Sequence, residues 1–264
     1  MLRGVDHIVH AVHDLDAAAE AYTRLGFTVG ARNKHPWGTH NRIVQFDGSF
    51  IELLTVAEPE KIPPHRPRSF SFGAFHRDFL ARGEGIDMVL LATNEANAEA
   101  DRYRAAGIGD FDVFHFERQG QRPDGASVKL AFSLAFAVEQ GVPEASFGAC
   151  QHHFPENFWN PAFQKHANGV TGISGIVMVA GEPARYCEFL LAYTGVTEAR
   201  DISNGFAIDL QNVVMEIITP AAFTQHFGMP APDTSRGLRL AAMGFSSGKA
   251  DVKAVMGAVL SFDR

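Results

Sequence analysis

A chain of 264 residues with a formal net charge of −7, 46% hydrophobic and 20% charged residues can bury a sizeable core and is neither disordered nor fibrous in composition. Without a run of Lys or Arg it has no electrostatic footprint for nucleic acid or anionic lipid, so neither is expected as a partner. No window approaches eighteen apolar residues, and the first sixteen residues soon turn charged and histidine-rich, so neither a membrane span nor a signal peptide is read.

Residues 5–12 alternate as a strand. Asp14 then caps a helix whose Leu15, Ala18, Ala19, Tyr22 and Leu25 fall at helical spacing, and Gly26 stops it. FTVGA, NRIVQF, an Asp47-Gly48 turn and SFIELLTV follow as a strand and a hairpin, giving the order βαβββ. That order recurs from GIDMVLLAT, through a helix over 94–106 ended by Gly107, to the strands DVFHFE, ASVKLAFSLAF and ASFGACQHH. A third copy runs from GISGIVMVA, through a helix with Pro183 in its first turn, to GFAIDL and VVMEIITP. Here FIELLTV and VMEIITP correspond, which makes Glu52 and Glu216 repeat-equivalent.

A fourth copy opens with GLRLAAMGF, continues into a helix predicted over 251–260, and stops without its last three strands. An open edge and an uncovered apolar face are costly, so a homodimer in which a second chain completes the sheet is one expected assembly. Residues 57–85 and 154–169 are rich in Pro, Phe and polar residues without regular period. The second stretch sets the expected organisation: a pair of units over 1–155, a linker over 156–171, and a C-terminal half over 172–264 with one complete and one partial unit. The fold class is α+β, with repeated βαβββ modules (three complete, a fourth truncated) paired into curved mixed sheets around a cavity.

The opening VDHIVHAVHDLDAAAEAYTRLGFTV, with WGTHNRIVQF and SFIELLTV after it, resembles the first module of the vicinal oxygen chelate superfamily in its glyoxalase-like branch. The resemblance implies a divalent metal held by a first-strand His and a last-strand Glu, by position His7 and Glu52. Alternation agrees, placing His7, Val9, Ala11 and His13 on one face. A lone acid at the centre of Phe50-Ile51-Glu52-Leu53-Leu54 also needs a cation or donors when buried. The second module departs from the pattern, with Asp87 and no His on its first strand. Its last strand ends Cys150-Gln151-His152-His153, where alternation puts Cys150 and His152 on one face, and His152 is the expected third ligand. The third copy lacks a matching first-strand His, so Glu216 reads as hydrogen-bonded structure.

A His/Glu set suits Zn, Mn, Fe(II) or Ni. The expected function is a metal-dependent enzyme, of lyase, isomerase or dioxygenase type, that chelates adjacent oxygens of a small organic substrate, with Glu52 also catalytic. His40, Arg42, Gln151 and Trp159 are the candidate substrate contacts: Arg42 as a bidentate anion clamp, against a turn fixed by Thr39 and Asn41, and Trp159 as part of a lid, against a linker aromatic tucked into the core. The alternative from another class is a metal-free protein that sequesters an apolar compound, a reading that 22 Phe against 2 Trp and 4 Tyr accommodates. Cys150 and Cys187 form neither a CxxC pair nor a disulfide framework, pointing to a reducing, cytoplasmic setting, with Cys150 a buried inert thiol.

Overall fold

A computed structural model describes residues 3–121, 125–247 and 250–263. Strand β1 (Val5–Ala11), helix α1 (Leu15–Arg24) and strands β2 (Asn33–Lys34), β3 (Thr39–Gln45) and β4 (Phe50–Val56) form the first unit. Asp14 caps α1 by accepting from the Asp16 and Ala17 N–H groups, so the sequence-level cap is the physical one. After α2 (Phe72–Leu80), the second unit comprises β5 (Gly85–Ala92), α3 (Ala96–Ala105), β6 (Phe114–Gln121), β7 (Ser127–Ala137) and β8 (Ser146–His152). The short α4 (Pro155–Phe158) precedes the third unit, with β9 (Gly172–Val179), α5 (Cys187–Thr194), β10 (Arg200–Ile202), β11 (Gly205–Asp209) and β12 (Val214–Ile218). Then follow α6 (Pro220–Phe227), β13 (Arg239–Ser246), β14 (Asp251–Val255) and β15 (Ala258–Asp263).

Two sheets result, ordered β2-β3-β4-β1-β5-β8-β7-β6 and β10-β11-β12-β9-β13-β15-β14. In each, two units join through antiparallel first strands, β1 with β5 and β9 with β13. The expected fourth-unit helix over 251–260 is instead the hairpin β14–β15, turned at Met256-Gly257 with φ of 43° and 77°. That conformation is the primed two-residue turn hairpins favour. The fourth unit is thus short of its helix and one strand rather than of three strands, and β15 pairs with β13 inside the same chain. The argument that a second chain must complete this sheet falls with it.

One face of each sheet shares a single core, where Ile8, Val89 and Phe147 of the first meet Ile176, Met243 and Phe245 of the second, with α1, α3 and α5 contributing Tyr22, Tyr103 and Tyr193. The opposite faces carry two further helices, α2 inside the irregular-looking stretch 57–85 and α6 after the third unit. On the first sheet α2, capped by Ser71, lays Phe72, His76, Phe79 and Leu80 inward. On the second, α6 starts with Thr219 and Pro220 and ends at left-handed Gly228. Its Phe223 and Phe227 pack on Val177, Val179, Ile218 and Val259, so that face is filled. The first sheet retains a cavity beside α2. No described helix is long and apolar enough to cross a membrane.

Candidate active site

The β1–β5 pairing skips Asp6 on one strand and Asp87 on the other, each an extra residue in a bulge. A bulge sends two consecutive residues to nearly the same side, and Asp6 therefore joins His7 where strict alternation separates them. Asp6 accepts from His7 Nδ1 (2.7 Å) and His152 Nε2 (3.0 Å), and the Cys150 Sγ lies within 4.8 Å of it. Burial alone would raise the Asp6 pKa, but His152 and His7 outweigh it and hold the carboxyl below its usual range. Burial first, and then the Asp6 charge, push the Cys150 thiol well up.

With Nδ1 engaged, His7 turns Nε2 toward Glu52 Oε2 at 3.9 Å. From the opposite side His35 Nε2 lies 3.9 Å from Glu52 Oε1. His35 sits just before β3, its Nδ1 bonded to Thr39 Oγ1 (2.8 Å) and its ring stacked on Trp37. Burial, helped by the charge of Arg118, pushes its pKa down to about 3, so the imidazole is neutral. Asn41 donates to Glu52 Oε1 at 2.5 Å, fixing one carboxylate oxygen. Oε2 has no donor among the described residues. Rings of Phe50, Phe72, Phe116, Phe132 and Phe158 wall the cavity, whose free volume is about 40 Å³, room for an ion and a few waters. It adjoins an open groove of about 740 Å³, and Ile43, Arg118 and Phe158 line both.

The structure brings His7 and Glu52 together. It places His152 one step back, bonded to Asp6 and stacked on Trp159 (5.4 Å), with Nδ1 lacking a hydrogen-bond partner among the described residues. Trp159 lines the groove. The other candidates lie elsewhere: Gln151 Oε1 accepts from the Ala96 N–H at the start of α3, Arg42 is bonded to Asp16 Oδ1 (2.8 Å) and the Gly30 carbonyl, and His40 faces Glu58 at 3.6 Å. On β3, His40 and Arg42 share one face while Asn41 and Ile43 line the cavity. Thr39 and Asn41, readable as turn-fixing residues, hold His35 and Glu52 instead.

Register identifies the second unit's counterparts. His7 pairs with Leu90 and Met88 with Val9 across β1–β5, so Met88 stands where His7 stands. Glu52 pairs with Val9, and its equivalent opposite Leu90 is Gly148. A Cβ at Gly148 would lie 2.6 Å from the Ala135 carbonyl oxygen, leaving no room for a side chain. In the third unit Glu216 pairs with Val177, as Glu52 does with Val9, and Gly175 takes the place of His7. His7, His35 and Glu52 all come from the first unit, while the second contributes lining such as Phe116, Arg118 and Cys150.

Two imidazole nitrogens and a carboxylate are donor types that suit a divalent ion of the Zn, Mn, Fe(II) or Ni kind. The ligand atoms of His7, His35 and Glu52 are not all within 4.8 Å of one another, and His35 Nε2 accepts from Asn41 Nδ2 at 3.3 Å, so an ion would have to draw them together. Each imidazole Nδ1 is held by a second group, the arrangement that orients ligating rings. The neighbouring trio Asp6, His7 and Cys150 lies close enough to share an ion. Asp6 already accepts from the His7 and His152 rings, so in the metal-free protein this trio orients His7. His35, Asp6 and Arg118 escaped sequence reasoning. Only Asp6 left a trace there, since VDHIV and IDMVL repeat its Asp at matching positions.

The glyoxalase-like domain profile matches residues 5–194, and the chain belongs to that family, within the vicinal oxygen chelate superfamily. A hypothetical protein from Staphylococcus aureus superposes with a TM-score of 0.72 at 14% identity, covering 100% of this chain and 99% of that one. A xylose isomerase-like TIM barrel/4-hydroxyphenylpyruvate dioxygenase fusion protein gives 0.51 at 16% identity, over 94% of this chain and 37% of the other. The methylmalonyl-CoA epimerase from Mycobacterium tuberculosis gives 0.38 at 19% identity, over 56% and 87%. At such identities the likeness is one of fold. No curated protein sequence matches the chain.

Proposed function

We propose that this protein is a metal-dependent enzyme, of lyase or isomerase type, whose ion is held by His7, His35 and Glu52 and whose small organic substrate offers two adjacent oxygens to that ion. One observation carries the reading: two imidazole Nε2 atoms each stand 3.9 Å from a different oxygen of one buried carboxylate. When bound, the ion supplies Lewis-acid polarisation of a substrate carbonyl. The chain's own residues do the rest. Asn41 and Thr39 fix Glu52 Oε1 and the His35 ring, Asp6 fixes His7, and the phenylalanine walls exclude water. Glu52 Oε2, without a hydrogen-bond donor, is the atom best placed to take a proton from substrate. His152 acts through Asp6 rather than as a ligand.

A metal-free sequestering protein is the second reading, favoured by Met88 and Gly148 at the second unit's equivalent positions. Metal content of protein purified without added metals separates the two. Near-stoichiometric Zn, Mn, Fe or Ni, lost in Glu52→Ala and in His35→Ala but kept in Gln151→Ala, supports the enzyme. A metal-free wild type whose melting is indifferent to chelator and to added ions overturns it.

A further inference from the structure

Arg118 lies on β6, the edge strand of the first sheet, and lines both the enclosed cavity and the open groove. Phe116, two residues before it on the same face, reaches the cavity wall against Trp37. Its neighbours differ from those of every comparable arginine. Among the described residues, the other half-buried arginines each hold a carboxylate: Arg3 and Arg102 on Glu99, Arg42 on Asp16, Arg239 on Glu144. Arg118 has none within 4 Å among the described residues. Its Nη1 donates only to the Asn33 side-chain oxygen, at 3.3 Å. A half-buried guanidinium without a carboxylate costs stability, and keeping it points to a function that needs it.

We propose that Arg118 is the anion anchor of this site and that the substrate is a carboxylate with an aromatic or otherwise apolar body. This rests on the cavity being the active site. A planar carboxylate matches the guanidinium fork in two parallel hydrogen bonds. Arg32 also lines the groove but is held by Asp16, so one arginine without a carboxylate suits a monoanion better than a phosphate dianion. The groove explains the apolar body. Trp159, Pro161, Phe158 and Phe163 line it, and Phe163 is the large hydrophobic side chain left exposed on the described surface, at 41%. A ligand entering there meets Arg118 before it reaches His7 and Glu52. Glu52 partly offsets the Arg118 charge through space. An ion on Glu52 would cancel that offset and leave Arg118 free to draw the substrate anion.

The chain's two tryptophans, Trp37 in the cavity and Trp159 in the groove, make quenching of their fluorescence a direct readout. The probes are phenylacetate and its uncharged counterpart phenylacetamide, titrated into chelator-treated and Zn-loaded protein. Phenylacetate is expected to bind roughly tenfold tighter in the Zn-loaded protein and less than that, but still tighter, after chelation. Arg118→Met should abolish that preference while leaving amide binding unchanged, and Arg118→Lys should keep part of it. If Arg118→Met melts below the wild type, Arg118→Gln provides the same comparison. Equal affinity for the two probes, no saturable quenching by phenylacetate, or a preference surviving in both Arg118→Met and Arg118→Gln overturns the assignment. The metal reading fails separately: a protein that takes up no metal yet prefers the carboxylate retains the anion site.

Discussion

Asp6 gathers the His7 ring, the His152 ring and the Cys150 thiol around one buried carboxylate. Because the folded-state pKa lies below the usual value, the stabilisation is present at neutral pH and is lost only as acid protonates the group. Asp6→Ala removes the acceptor from two buried rings, and a loss of about 2–4 kcal/mol in denaturant unfolding is expected. Metal affinity should fall by about 10–100-fold, because His7 is no longer held in one tautomer and orientation. Competition titration against a chromogenic chelator measures this, and unchanged affinity would show that His7 does not depend on Asp6. Asp87, the bulge residue of the second unit, meets His76 on α2 at 2.6 Å instead. The same backbone device thus holds the His7 ring in one unit and pins a covering helix in the other.

Between elements, His10 couples the two sheets. Its Nε2–H donates to the Met256 carbonyl in the β14–β15 turn, and its Nδ1 accepts from the Tyr22 hydroxyl, so the ring is neutral and burial lowers its pKa. His166 is held in the same way, accepting from the Thr28 N–H and donating to the Gln45 carbonyl, and its pKa is also lowered by burial. The unfolded chain therefore binds protons below about pH 6.5 that the folded chain refuses. Stability should be flat above that pH and fall below it, by up to about 1.4 kcal/mol per unit for each such group. Urea midpoints from about pH 8 to about pH 5 test this. His10→Gln should be less stable at the upper end with a shallower decline, and an unchanged slope would exclude His10 as a source.

Much of this scale was legible in the sequence. The first unit is marked by Asp14, Gly26 and the Asp47-Gly48 turn, each of which fixes a local geometry by its own chemistry. Helices α2 and α6 hid because Phe and Pro crowd their flanks, so that caps at Ser71 and Thr219 gave the surer signal. Residues 251–260 read as helix because their apolar residues satisfy both periods, and Met256-Gly257 is not a familiar turn pair. At the site, alternation put His7 and Cys150 on the faces that line the cavity, but it put His152 with them, which the cavity lining leaves out. It failed at Asp6, where the bulge breaks the period. His35 and Arg118 come from a loop and an edge strand that only tertiary packing brings to Glu52.

The whole molecule repeats one topology twice and uses the two outer faces differently. The first encloses polar groups beside α2, whereas α6 fills the second with Phe223 and Phe227. Phe223→Ala, at a side chain 1% exposed, is expected to cost about 3–5 kcal/mol. It should leave metal content and phenylacetate binding unchanged, because no ligand pair faces that helix. Thermal unfolding alongside metal analysis checks both parts, and loss of metal would mean that the two faces are energetically linked.

Gly148 makes this asymmetry hard to undo. A repeated scaffold offers the same positions in each copy, yet here the Ala135 carbonyl occupies the space that a second carboxylate would need. Substituting Met88 by His alone would restore half a ligand set with nowhere to put its partner. Building a second site would require strand β7 to shift first, so single substitutions cannot make the two copies equal.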